Sequence, residues 1–172
     1  VSAKSISALY AYVDAEFGRL DALINNAGIL LDRKDSILDI PEEKLRTMFD
    51  TNTFAPLMLI RAFLPLMRAQ NYGRIVNISS QLGALGGFSD YTPAYRLSKL
   101  ALNGITLILA DALKETNILV NSVHPGWVRT GMGGENAPLS LDEGARGIVW
   151  AATLPDNGPH GSFLLDGEKL NW

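Results

Sequence analysis

Gly73-Arg74-Ile75-Val76-Asn77-Ile78-Ser79-Ser80 reads as a short buried strand closed by two serines, and the reading of the whole chain grows from it. Before it runs a helical pattern from Pro41-Glu42-Glu43 to about Gln70, interrupted by Pro56 and Pro65. A proline in the first turn and acids that complement the helix dipole open that helix well. After it, 93–115 reads as a long helix that is apolar on most faces, and Ile118-Leu119-Val120-Asn121-Ser122-Val123 as another strand. Further out, Ile6, Leu9, Tyr10, Val13 and Phe17 recur at helical spacing, with Gly18 as the stop, and Ala22-Leu23-Ile24 is a short strand. Ser140-Leu141-Asp142-Glu143 starts a helix that runs to about Thr153, and Ser162-Phe163-Leu164-Leu165 is a last short strand.

Strands that alternate with helices predict an α/β fold: a doubly wound parallel sheet with helices on both faces and right-handed crossovers. No repeat, low-complexity tract or charged linker divides residues 1–172, so one domain is expected. In such sheets ligands gather outside the carboxyl ends of the strands, which points to 25–28, 79–83 and 124–130.

Composition narrows the function classes. Fifteen basic and 18 acidic residues leave a net charge of -3 and no clustered basic face, so nucleic acid is not an expected partner. There is no cysteine, which removes disulfides, thiolate catalysis and cysteine-ligated metal. With two histidines and no ligand spacing, no metal is expected. His124 reads as structural, and His160 sits in a Gly/Pro-rich loop with no evident partner. No apolar run approaches the roughly 18 residues a membrane span needs, and the start has no signal-peptide pattern. A cytoplasmic protein without a membrane partner is the expectation.

Three features carry chemistry. Tyr95 and Lys99, four residues apart on a helix, share one face near its N-terminus. A phenol has an ordinary pKa near about 10, and a neighbouring ammonium and a helix N-terminus both favour its ionised form. So tuned, Tyr95 can give a proton to a carbonyl oxygen or take one from an alcohol. Ser79 and Ser80 close their strand upstream, where a hydroxyl can reach a substrate oxygen, although serines there are also common turn formers. Asn52 lies four residues before Pro56, which cannot donate to its carbonyl. Either a kinked helix runs through and frees that carbonyl, or one helix ends near Asp50 and another starts near Phe54.

Asn25-Asn26-Ala27-Gly28, Thr51-Asn52-Thr53, Gly73 to Ser80, Tyr95-x-x-x-Lys99 and Pro125-Gly126-Trp127-Val128-Arg129-Thr130 together resemble the short-chain dehydrogenase/reductase family in order and spacing, over essentially the whole chain. The ending, from Val149-Trp150 through Pro159, Asp166-Gly167 and Trp172, resembles the carbonyl-reductase branch. The resemblance implies a Rossmann-like sheet and an oxidoreductase that uses NADP or NAD to interconvert a ketone or aldehyde and an alcohol. It implies catalytic roles for Asn52, Ser80, Tyr95 and Lys99. Tyr95 is then the general acid/base, and Ser80 rather than Ser79 orients the substrate oxygen. Lys99 lowers the Tyr95 pKa and holds the nicotinamide ribose. Asn52 holds a relay water on its free carbonyl. Asn26, Ala27 and Gly28 line the adenosine side of the cofactor, and Pro125, Gly126, Val128 and Thr130 follow the nicotinamide. Tyr91 is a decoy, because the residue four positions on is Tyr95 rather than a lysine. Leu82, Leu85, Phe88, Trp127 and Met132 imply an apolar substrate, and helices 53–70 and 93–115 a homodimer or homotetramer.

The family's opening strand and Thr-Gly-x-x-x-Gly-x-Gly turn, which hold the pyrophosphate, do not occur in these residues. Val1-Ser2 reads as the end of a third strand, so the N-terminal strands are expected to be missing and the strand ending at Ile24 to form an edge. A fragment of a longer reductase is the leading reading. A truncated, non-catalytic remnant acting as a binding or interaction module is the alternative. Another α/β enzyme, such as a methyltransferase, leaves Tyr95, Lys99 and Ser80 unexplained.

Overall fold

The computed structural model describes residues 2–172. Five strands form one sheet in the order of the chain: β1 (Ala22–Asn25), β2 (Gly73–Ile78), β3 (Ile118–Val123), β4 (Ser162–Leu165) and β5 (Glu168–Leu170). β1 to β4 are parallel, and β5 folds back antiparallel onto β4. β5 was not anticipated: its signal is only three residues after the Asp166-Gly167 turn, where both residues have positive φ. The expected α/β sheet is present, with that one antiparallel edge.

Helices cover both faces. Residues on neighbouring parallel strands at one register level point the same way, so Leu23, Ile75 and Val120 share a face. That face packs against α3 (Ala55–Ala69) and α4 (Pro93–Ala112) through Ile60, Met67 and Leu109. Val76, Ile78, Val123 and Leu164 point the other way and meet Ile148 and Ala151 of α5 (Leu141–Ala152). Two crossovers therefore lie on one face and the third on the opposite face, although the strands advance in one direction. The α5 crossover cannot share the hand of the first two, which corrects the expectation that all are right-handed. Arg74, 1% exposed, points to the α5 side and donates to the Leu154 carbonyl at 2.7 Å and to Asp156 at 2.9 Å. It ties the chain after α5 to the start of β2.

The remaining helices frame this core. α1 (Ala3–Phe17) starts with Ser2 as its N-cap and ends at Gly18 in the left-handed region. Ser2 is thus a helix cap and not the end of a strand, and Val1 lies outside the described residues. α2 (Glu42–Phe49) passes through a π-helical turn, Asp50–Phe54, directly into α3. The helix therefore runs through Pro56 and does not end near Asp50. One wide turn absorbs the hydrogen bond that Pro56 cannot make, and the amide of Ala55 reaches back to the Asp50 carbonyl. Among the described residues β1 pairs only with β2, so it forms an edge, with Ile24 exposed. No helix among them is long and apolar enough to cross a membrane.

Candidate active site

The carboxyl ends of β1, β2 and β3 open onto a cavity of about 660 Å³. Ser79, Ser80, Tyr95 and Lys99 line it, as do Asn26, Gly28, Pro125, Gly126, Val128 and Thr130. Ala27, expected beside Asn26, is exposed and is not part of the lining. Every other predicted site residue except Asn52 lies on this one surface, and Asn52 sits immediately behind it.

The helix bearing Tyr95 is positioned from a distance. Thr92-Pro93 looks like an ordinary helix start, yet Thr92 adopts φ 53 and its hydroxyl caps nothing. Asp32, wholly buried on the loop after β1, takes its place. Asp32 Oδ2 accepts from the backbone amides of Ala94 at 2.7 Å and Tyr95 at 3.1 Å. A carboxylate at the positive end of the helix dipole satisfies two orphan amides at once. Sequence reasoning missed Asp32, because nothing local marks a cap supplied by a loop so far away.

Tyr95 is buried, and its phenol is held above its ordinary value near 10. Burial is the main cause; hydrogen bonding by Ser80 and the positive charge of Arg33 pull it back, and the Asp32 charge adds to the rise. Lys99 lies with Nζ 5.7 Å from the Tyr95 ring centre and donates to the Ile78 carbonyl at 2.7 Å. Burial pushes Lys99 itself down to about 8. The expected depression of Tyr95 by Lys99 is therefore not what this structure holds: desolvation outweighs the nearby charges, and the ammonium is turned to the end of β2.

Asn52 contributes its side chain. Oδ1 accepts from the Ile29 amide at 2.8 Å, while Nδ2 donates to the Ile29 carbonyl at 2.9 Å and to Ser98 Oγ at 3.0 Å. It clamps the loop after β1 to the helix of Tyr95. A Cβ on Gly28 would lie 3.4 Å from Lys99 Nζ and 3.5 Å from Asn52 Oδ1, so the bare backbone keeps the approach to both open.

The two serines differ. Ser80 caps a single 3₁₀ turn, Gln81–Gly83, by accepting from the Leu82 amide at 3.2 Å. The Ser79 hydroxyl is buried and has no partner. His124 also lines the cavity with Nδ1 unpartnered, and burial lowers its pKa. Thr130 accepts from the Gly133 amide at 2.9 Å and shapes the loop after β3. Trp127 borders the cavity and donates to the Gly133 carbonyl. His160 has partners after all: Nδ1 accepts from the Val120 amide at 3.1 Å and Nε2 faces the Ala110 carbonyl at 2.8 Å. It joins β3 to the end of α4, a contact that its loop sequence does not reveal.

Comparison with known proteins gives this arrangement its context. The family model described as short chain dehydrogenase matches residues 1–139. The chain belongs to the short-chain dehydrogenase family. It is 43% identical to short-chain dehydrogenase anuI of Penicillium roqueforti, over 96% of this chain and 70% of that protein. It is 32% identical to carbonyl reductase [NADPH] 1 of Mus musculus, over 98% of this chain and 76% of the relative. Among solved structures, the carbonyl reductase Sniffer of D. melanogaster superposes with a TM-score of 0.89 at 33% identity, covering 98% of this chain and 74% of that one. An NADPH-bound carbonyl reductase from chicken fatty liver gives 0.87 at 33%, covering 98% and 73%. The membership accounts for the sheet and makes the chain a short-chain oxidoreductase by descent.

Proposed function

We propose that this short-chain dehydrogenase chain carries the catalytic portion of a carbonyl reductase that uses NADPH, or less effectively NADH. One observation carries the reading: the side chains of Tyr95, Ser80 and Lys99 border a single cavity at the carboxyl ends of β2 and β3. The names of the relatives favour NADPH and a carbonyl substrate.

The nicotinamide end of a cofactor fits this surface. Gly28 leaves the path to Lys99 open, and the unpartnered Ser79 hydroxyl and His124 Nδ1 are polar groups without protein partners. Lys99 would hold the ribose hydroxyls, and Pro125, Gly126, Val128 and Thr130 the nicotinamide side. Asn26, Ala27 and Gly28 would take the adenosine side. A bound nicotinamide dinucleotide supplies the hydride. Tyr95 hands its hydroxyl proton to the carbonyl oxygen during reduction and recovers one during oxidation. A phenol held above its ordinary pKa is fully protonated at neutral pH, as the reducing direction requires. Ser80 orients the substrate oxygen against Tyr95. The carbonyl of Asn52, to which Pro56 cannot donate, holds the water that returns the proton from solvent.

Exposed Phe54 and Met58 on one helix surface and Leu107 and Ile108 on another favour association of copies through these helices. The non-catalytic interaction module keeps one supporting observation, the lack of a glycine-rich pyrophosphate turn in these 172 residues.

Titration of the purified chain, its mass verified, with NADPH and NADH by fluorescence separates the two readings. Turnover of para-nitrobenzaldehyde follows on the same sample. Binding with turnover that Tyr95→Phe abolishes supports the reductase. No binding of either cofactor leaves the reductase chemistry to a longer parent, with this chain a fragment of it or a non-catalytic remnant.

A further inference from the structure

The cavity has an unbalanced charge. Two cations, Arg33 and Lys99, line it, and no aspartate or glutamate does. Lys99 is buried, gives one donor to the Ile78 carbonyl and is assigned to the ribose hydroxyls. Arg33 is different: it stands on the exposed loop after β1 and reaches across the cavity mouth. Its Nη1 donates to the Tyr91 hydroxyl at 3.1 Å, and its Nη2 donates to the Met132 carbonyl. Both acceptors also line the cavity, and both are neutral. Among the described residues the ion pairs are Arg19–Asp21, Lys44–Asp35, Arg46–Glu42, Arg74–Asp156 and Lys114–Asp111, and Arg33 is in none of them. Asp32, its neighbour in sequence, is turned inward and spends one oxygen on the amides of α4.

A guanidinium has five N–H donors in a planar fork suited to a carboxylate. Arg33 uses two of them on neutral acceptors. Leu30, Leu82 and Met132, which pack against the cluster that holds Tyr95, give the same cavity an apolar lining. We propose that Arg33 is a specificity-determining residue that selects carbonyl compounds with an apolar body and a carboxylate at the end away from the reacting carbonyl. Such a molecule places its carbonyl at Tyr95 and Ser80, its body against Leu30, Leu82 and Met132, and its carboxylate on Arg33. The inference rests on the reductase reading and refines its substrate class from merely apolar to apolar with an anionic end. Tyr91, discounted as an acid/base, gains a part here: its hydroxyl props the guanidinium at the mouth.

The test compares terephthalaldehydic acid and its meta isomer with their methyl esters, which keep the ring and the aldehyde but replace the carboxylate charge by a neutral ester. The change of the acid-to-ester ratio between parent and variant is what is read. The enzyme is expected to prefer the acids, and Arg33→Gln to lower the acid-to-ester ratio of kcat/KM about tenfold, the scale of one partly solvated charge-assisted contact. Arg33→Lys should retain part of the preference, and the KM for NADPH should not move. A ratio that Arg33→Gln leaves unchanged, or an equal loss for acid and ester, overturns the proposal and leaves Arg33 as a brace between loops. If para-nitrobenzaldehyde is turned over and none of these four aldehydes is, the proposal is overturned; if para-nitrobenzaldehyde fails as well, the reductase reading fails for this chain. Calorimetric titration with terephthalaldehydic acid still decides the site: binding weakened about tenfold by Arg33→Gln supports it, and unchanged or absent binding overturns it. Thermal melts of both variants show whether the fold survives.

Discussion

Asp32 accepts a hydrogen bond from the backbone amide of Tyr95 at 3.1 Å, so a loop leaving β1 caps the helix that presents the candidate acid/base. The same carboxylate oxygen takes the Ala94 amide, and the carboxylate is wholly shielded from water. Position and electrostatics are coupled there, since the charge that orients the helix also opposes ionisation of the phenol. Loss of the carboxylate in Asp32→Ala should destabilise the chain by about 2 kcal/mol, at the upper end for helix caps because the site is buried. Asp32→Asn keeps an acceptor and should cost less. In Asp32→Asn the pH at which reduction declines should move downward, because a charge that raises the Tyr95 pKa is gone. Urea titrations and a pH profile of kcat check the two parts separately, and an unmoved profile would confine Asp32 to a structural role.

Tyr95→Phe should fold as the parent does, because the buried ring remains, and turnover should fall by about a hundredfold or more with the loss of the proton donor. NADPH oxidation rates beside a thermal melt test this. Substantial residual turnover would move the proton transfer to another group.

Lys99 has a pH signature. Its value falls from 10.5 to about 8 on folding, so between those values the unfolded chain binds the extra proton. Below about 8 both states are charged and the desolvation penalty is present in full; as pH rises toward 10.5 it is relieved. The stability of the parent relative to Lys99→Met should therefore rise between pH 8 and 10. Melting temperatures of the two proteins at neutral and alkaline pH give the comparison, and a difference that stays flat would mean that the ammonium is better solvated than its burial implies.

Gly83 sets the distance between the Ser80 turn and the helix of Lys99. A Cβ there would lie 2.7 Å from Lys99 Cβ and 2.9 Å from the Leu100 amide nitrogen, neither of which can easily move. Gly83→Ala should cost about 1–3 kcal/mol through overpacking and should reduce kcat with it. Gly86→Ala, where the added carbon meets nothing within 4 Å, is the matched control and should be close to neutral in both. Equal effects at the two positions would argue against close packing as the cause.

Much of the molecule was legible in the chain because its signals are local. Apolar runs of β-branched residues mark β2 and β3, helical spacing marks α1 and α4, and the Ser140 capping box opens α5 where it was expected. The four-residue step from Tyr95 to Lys99 puts both on one helical face, and placement after a strand sends the serines and the Pro125–Thr130 loop to the cavity. Tertiary structure decided what depends on partners distant in sequence. Thr92 has the right residue type for a cap and does not act as one, because Asp32, 62 residues from Ala94, occupies the amides first. The Asn52 side chain clamps Ile29 to Ser98, and the Tyr95 pKa is raised rather than lowered because burial, a sum over the whole fold, outweighs the Ser80 hydrogen bond and the Arg33 charge. The hand of the α5 crossover and the reach of Arg33 to Tyr91 and Met132 belong to the same class. Periodicity and spacing report the geometry of one element at a time, whereas desolvation, capping in trans and cavity charge arise only when separate elements are packed together.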